Sequence, residues 1–197
     1  MFFTKNVSDQ TAIKIKTALI SVSDKSDLDK LAATLRSHDI AIVSTGGTAA
    51  YLKEQNFKVT EVSAITGFPE MMDGRVKTLH PLIYAGLLNR PVIDDKLLEE
   101  YSITNIDLVV VNLYPFEETI AQHHSDEEKA IENIDIGGPS MIRATAKNYH
   151  TKTILTDPSD YETLITELAN NQGCVTYTLR KQLALKAFGY TASYDAA

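Results

Sequence analysis

Cysteine is almost missing from this sequence of 197 residues. Cys174 stands alone, which excludes an intrachain disulfide and a cysteine-rich metal site. A reducing, cytoplasmic setting is the expectation. Long apolar runs are missing too: none approaches the roughly 18 residues that suggest a membrane span. Positive charge is scarce. Nineteen Lys and Arg stand against 26 Asp and Glu, a net charge of −7, which is the reverse of the basic footprint of a general nucleic-acid binder. It leaves room for a local knot of cations around an anionic ligand. No second histidine stands at metal-ligand spacing from His80. There is no internal repeat and no low-complexity linker.

What remains is an ordinary globular composition, 44% apolar and 23% charged, of a length that suits one large domain. The stretch Met1–Lys16 opens with Phe2 and Phe3 but turns polar at once and lacks the apolar core of a signal peptide. It reads as a loose leader, with the domain running over 17–197. From Thr17 the pattern alternates. Apolar runs at Thr17–Val22, Ile40–Ser44, Phe57–Val62, Ile106–Asn112 and Lys152–Thr156 predict strands. Between them lie helical spacings. Leu28, Leu31, Ala32 and Leu35 share one face, as do Tyr161, Leu164, Ile165 and Leu168. Further helices are predicted after Thr48, around Leu97–Tyr101, over Asp126–Asn133, from Gly137 to about Asn148, and over Tyr177–Tyr190. From Ser63 to Leu88 the rhythm breaks, and a long irregular stretch inside a compact domain is often functional. Strands separated by helices predict an α/β fold with right-handed crossovers and a parallel sheet. Ligands on such sheets bind beyond the carboxyl ends of the strands.

Several clusters fall after strands, on that rim. Ser44-Thr45-Gly46-Gly47-Thr48 joins a strand to a helix. Its glycines bring N–H groups close to a ligand and the helix start adds partial positive charge, so it reads equally as a phosphate cradle and as a tight capped turn. It is neither a G-x-G-x-x-G nor a P-loop, so it does not support a dinucleotide or nucleoside triphosphate site. Ser23-Asp24-Lys25-Ser26 reads as a helix cap with a solvated lysine, or as a phosphate partner by virtue of its place on the rim. Gly74-Arg75-Val76-Lys77-Thr78 concentrates cations in an acidic chain: Arg75 offers a two-donor grip on phosphate, Lys77 a mobile point charge. His80 before Pro81 suggests a structural turn, and His123-His124 a solvated helix end. Asn112-Leu113-Tyr114-Pro115 ends the strongest strand, and Tyr114 suits proton donation, stacking on a base, or a half-buried turn. Asp135 precedes Gly137-Gly138-Pro139, where a helix start and its amides can favour an anion or form an oxyanion hole. Lys147 lies four residues beyond Arg143 on the same predicted helix.

Taken in order, the segments ALISVSDK (18–25), STGGT (44–48), TGFPEMMDGRVKTLHP (66–81), VNLYPF (111–116), IDIGGPSMIRATAKN (134–148) and RKQLALKAFGYTASYD (180–195) resemble the inosine monophosphate (IMP) cyclohydrolase domain of the bifunctional purine-biosynthesis family, the AICAR formyltransferase/IMP cyclohydrolases. The resemblance implies a three-layer, methylglyoxal-synthase-like α/β domain with a mainly parallel central sheet. It implies dehydrative closure of 5-formamidoimidazole-4-carboxamide ribonucleotide, a purine-precursor monophosphate, to IMP. It implies no metal or cofactor for this domain, no nucleic-acid or membrane partner, and a homodimer of the full-length protein. A formyltransferase domain using 10-formyltetrahydrofolate would follow in the native protein. The ending Tyr194-Asp195-Ala196-Ala197, which carries no stop signal, fits that expectation.

Residue by residue, the resemblance puts phosphate contacts on Ser23, Lys25, Ser44, Gly46, Gly47, Thr48, Arg75 and Thr78. Contacts to the base and its surroundings fall on Asn112, Ile136, Gly137 and Gly138. The catalytic group falls on Lys77, Tyr114, Asp135 and Lys147. Two relatives of the same fold are the alternatives: an effector-binding regulatory module, which needs the cradle but no catalytic group, and methylglyoxal synthase. The second glycine turn with Asp135 and Lys147 argues against the module. The combination of VNLYPF and IDIGG argues against the synthase.

Overall fold

The computed structural model describes residues 11–72, 74–114 and 127–197. Asp73, Pro115, Phe116 and the His123-His124 pair lie outside the described residues.

The chain starts earlier in the fold than a leader ending at Lys16 implies. Strand β1 (Ile13–Lys14) pairs antiparallel with β7 (Cys174–Val175), and Ile15 is buried in the core. The main sheet then begins with β2 (Thr17–Val22), followed by helix α1 (Leu28–Ser37), β3 (Ala41–Ser44), α2 (Gly46–Glu54) and β4 (Val59–Glu61). Next come α3 (Val62–Thr66), α4 (Pro81–Leu88), α5 (Asp95–Glu100) and β5 (Leu108–Asn112). After the undescribed segment follow α6 (Glu127–Glu132), α7 (Gly137–Lys147), β6 (Thr153–Leu155), α8 (Tyr161–Asn170), β7 and α9 (Tyr177–Ala196).

The sheet order is β4-β3-β2-β5-β6, and each neighbouring pair is parallel. Helices flank the sheet: α1 packs on α8, while α7 lies on β5 and β6 between α4 and α9. The expected three-layer α/β architecture is borne out. β5 is buried at every residue, as a near-continuous Leu-Val-Val-Val run requires of a central parallel strand.

Part of the expected irregular stretch is helical. Val62–Thr66 and Pro81–Leu88 bracket a loop of residues 67–80. His80 serves α4 as its cap: its Nδ1 accepts the Leu82 N–H at 3.2 Å, and Pro81 occupies the first helical position. α4 reads PLIYAGLL, apolar on nearly all sides, so it carries no amphipathic rhythm to announce it.

Two buried cations hold the layers together through neutral oxygens. Lys152, at the start of β6, donates to Gly86 O at 3.0 Å, to Asn89 Oδ1 at 3.4 Å and to Asn105 Oδ1. Arg180 of α9 donates to the carbonyls of Tyr149, His150, Thr11 and Val175. It thereby ties the N-terminal segment and β7 to the turn before β6.

The order of crossovers places a switch point. From β2 the chain moves outward to β3 and β4, then returns to β5 beside β2 and moves the other way to β6. The carboxyl ends of β2 and β5 therefore flank a crevice that their own connections leave open.

Candidate active site

That crevice is a cleft of about 660 Å³. Its floor is the end of β2. Ser23 and Asp24 both donate their N–H groups to Asn112 Oδ1, at 2.6 and 2.9 Å, and Asn112 Nδ2 returns a bond to Asp24 O at 2.9 Å. Asn112 is thus the clamp that shapes the β2–α1 bend, and it still reaches the cleft. Lys25 projects beside it, its Nζ 3.3 Å from Ser23 O.

The first amide-lined bend is β3–α2. Thr45 precedes α2 in extended conformation, with no side chain capping the first helical turn. Gly46 takes a φ of +54°, and Gly47 has nothing within 4 Å of the place a Cβ would occupy. The uncapped N–H groups of this nine-residue helix therefore stand open towards the cleft. Thr48 Oγ1 is engaged with the Val22 backbone, accepting its N–H and donating to its carbonyl, both at 3.0 Å. Ser44 is fully buried and donates to Ile20 O at 2.7 Å. It pins β3 to β2 and is not among the residues lining the cleft.

The loop of residues 67–80 supplies cations. Met71 and Val76 bridge through two backbone bonds of 3.0 and 3.3 Å, and Gly74 takes a φ of +90° in the turn between them. Residues 70 and 77 are the next pair across this bridge. Glu70 Oε1 and Lys77 Nζ both lie over Gly74, 2.9 and 3.3 Å from where its Cβ would be. Thr45 Oγ1 donates to Glu70 Oε2 at 3.4 Å, which joins the loop to the glycine bend. Arg75 meets Glu132 of α6 through Nε–Oε1 at 3.3 Å and a second, closer contact from Nη2. This contact holds the Glu132 carboxyl below its usual range. Thr78 is buried, its Oγ1 against Gly137.

The second bend opens α7. Asp135 Oδ1 accepts the Gly138 N–H at 2.7 Å. Burial raises the Asp135 carboxyl above the usual range, against the opposing pull of the Gly138 amide, the Lys77 ammonium and the Gly137 amide. A raised acid beside an ammonium, in a cleft with free amides at its first bend, suits proton transfer next to a bound anion. Ile131, Ile134, Ile136 and Met141 form an apolar wall, and Tyr114 stands half-exposed at the rim.

The cleft therefore brings together Ser23, Lys25, Gly47, Thr48, Arg75, Lys77, Thr78, Asn112, Tyr114, Asp135, Ile136, Gly137 and Gly138. Gly46 stands just behind it, against Lys77. Lys147 is not brought in. It is the last residue of α7, exposed, ten residues from Gly137, which is about 15 Å along the axis. Sequence reasoning missed Glu70, Glu132, Ile131 and Ile134, and named Ile136, which lines the cleft. The Asp73-Gly74 dipeptide is the one local signal for Glu70: a tight turn there sets it opposite Lys77.

Residues 27–140 match the MGS-like domain family, and residues 145–197 match the AICARFT/IMPCHase bienzyme. The chain belongs to the MGS-like domain family. Laid end to end, the two matches are consistent with the IMP cyclohydrolase region of the bifunctional purine-biosynthesis protein. This MGS-like chain is also similar to the crystal structure of ForH, at 34% identity and a TM-score of 0.78, covering 92% of this chain and 95% of that one. Among its described residues no group of three or more His, Cys, Asp and Glu is arranged to hold a metal ion. No described helix is long and apolar enough to cross a membrane.

Proposed function

We propose that this chain is an IMP cyclohydrolase. The observation that carries the reading is the meeting of Asp135 and Lys77 in one cleft with two amide-lined bends. The 5′-phosphate is held by the open amides at Gly46–Thr48 and by Lys25 and Arg75, Arg75 exchanging its carboxylate partner Glu132 for the phosphate. The imidazole lies along the apolar wall of Ile131, Ile134 and Ile136, with Asn112 and Tyr114 at its polar edge.

Ring closure then needs one bond made and one water lost. The carboxamide nitrogen attacks the formyl carbon, and the C=O electron pair moves onto the formyl oxygen. Asp135 takes the nitrogen's proton. Lys77 faces the growing oxyanion, while the Gly137 and Gly138 amides hold the Asp135 carboxylate in place. Protonation of that oxygen and loss of the second nitrogen proton release water and leave the aromatic ring. The nitrogen is a poor nucleophile, so fixed orientation supplies much of the rate. Each proton transfer adds about 10²–10⁴-fold.

The test is direct. Incubated with the formamido nucleotide, the protein produces the purine absorbance. Asp135→Asn lowers kcat by about 10²–10⁴-fold while IMP binds as before. Tight nucleotide binding with no purine formed would reduce the chain to an effector module. Release of phosphate from dihydroxyacetone phosphate would make it a methylglyoxal synthase.

A further inference from the structure

The resemblance covers residues 180–195 without assigning a residue there to the site, yet the structure runs two of them into it. Tyr190 and Tyr194 lie four apart on α9, so their side chains leave one helix face a turn from each other. The Tyr190 hydroxyl accepts the Leu113 N–H at 3.0 Å. The Tyr194 hydroxyl accepts the Asp135 N–H at 2.9 Å and donates to Asn133 O at 3.3 Å. Leu113 and Asp135 belong to facing walls. One stands between Asn112 and Tyr114 just past β5, the other opens the α7 bend, and both meet at Gly138, where a Cβ would touch Leu113 Cδ2 and Asp135 Oδ2. Leu113 N–H lies past the last paired residue of β5, and Asp135 N–H lies before the first residue of α7. Among the described residues neither has a backbone partner, so each relies on a side chain.

We propose that Tyr190 and Tyr194 are positioning residues that fix the two walls of the cleft, and with them Tyr114 and Asp135, on a single rigid helix. Phenylalanine would keep the packing and strand both donors, so the function resides in the hydroxyls. The groups facing the Asp135 carboxyl are Lys77 from the loop, Tyr84 from α4, Tyr190 and Tyr194 from α9, and the Gly137 and Gly138 amides. Burial dominates, so a slackened 133–135 turn that admits water lets the carboxyl fall back towards its usual range.

The kinetic arm of the test rests on the ring-closure reading; the titration arm does not. Tyr194→Phe and Tyr190→Phe are compared with Tyr101→Phe, an exposed tyrosine after α5 that does not line the cleft. The Asp135 carboxyl is titrated by carbon NMR in ligand-free protein. In Tyr194→Phe its midpoint moves to lower pH, kcat drops about tenfold with KM within about twofold, and the acid limb of kcat moves with the midpoint. Tyr190→Phe lowers kcat through Leu113 and Tyr114, and decides the matter if Tyr194→Phe does not accumulate as folded protein. Tyr101→Phe matches the wild type throughout. If wild-type protein closes no ring, the function proposal fails while the Asp135 midpoint still decides this one. Folded Tyr194→Phe with an unmoved midpoint, or a variant that only melts lower with kcat per folded molecule unchanged, would overturn it.

Discussion

Gly138 and Gly47 both sit in the first turn of a helix at the cleft, and replacing them with alanine has opposite consequences. A Cβ on Gly138 would lie 2.4 Å from Leu113 Cδ2 and 2.5 Å from Asp135 Oδ2. Both are side-chain atoms, so relief means turning the buried Leu113 and the helix-bound Asp135 off their present rotamers. Gly138→Ala is therefore expected to cost about 2 kcal/mol in denaturant unfolding and to displace the carboxylate that Gly138 caps. At Gly47 the backbone is ordinary and nothing lies within 4 Å. Gly47→Ala leaves the empty protein as stable or firmer by up to about 1 kcal/mol. A phosphate drawn close to the amides has no room for the added methyl, so calorimetric IMP affinity falls at least about tenfold. Unchanged affinity would move the phosphate away from this bend. The glycine pairs, the cations of the 74–78 run and Asp135 were legible because each sits beside its own turn signal. Glu132 and the two tyrosines were not. They meet Arg75, Leu113 and Asp135 from 57, 77 and 59 residues away, and spacing within one element says nothing about such pairs.

Among the elements, β2 was legible to the residue and β3, β5, α1 and α8 to within two, since their apolar periods are those of a buried parallel strand or a one-faced helix. The two-residue pair β1–β7 was not, because Ile13–Lys14 is too short to show a period and gains its meaning only from Cys174–Val175 far along the chain. Helix α4 was hidden by being apolar all round, and its burial makes its far end the costly part. There Asn148 Nδ2 donates to Leu87 O and Asn89 O, at 3.0 and 2.8 Å, and Lys152 donates to Gly86 O. Burial depresses the Lys152 ammonium to about 8, against a partial pull from Asp107. The sign follows. Unfolded chains hold this proton up to about 10.5, so between pH 8 and 10.5 the unfolded state binds more protons and stability rises with pH. Below pH 8 both states are charged and the contribution is flat. The gain approaches about 3 kcal/mol across the window. Chemical unfolding at a series of pH values should show wild type gaining relative to Lys152→Met from pH 8 to 10. Parallel curves would mean that the ammonium stays charged in its cage of amide oxygens.

At the scale of the whole molecule, the position of Lys147 bears on assembly. The resemblance assigns it to ring closure, yet it stands exposed at the far end of α7 from the cleft of its own chain. The same resemblance implies a homodimer of the full-length protein, and both expectations are met if Lys147 enters the cleft of a partner. Two inactive chains then repair each other. A dimer of Lys77→Met with Lys147→Met contains one site with both lysines and one with neither. Random assembly makes about half the dimers mixed, so co-expressed chains should recover about a quarter of wild-type turnover per chain. Each variant alone, at the same concentration and with the same sedimentation behaviour, stays near background. No recovery from mixed dimers, with Lys147→Met still inactive alone, would require Lys147 to act within its own chain and α7 to sit differently when substrate is bound. Full activity in Lys147→Met alone would remove it from the chemistry and leave Lys77 and Asp135 as the proton-handling pair.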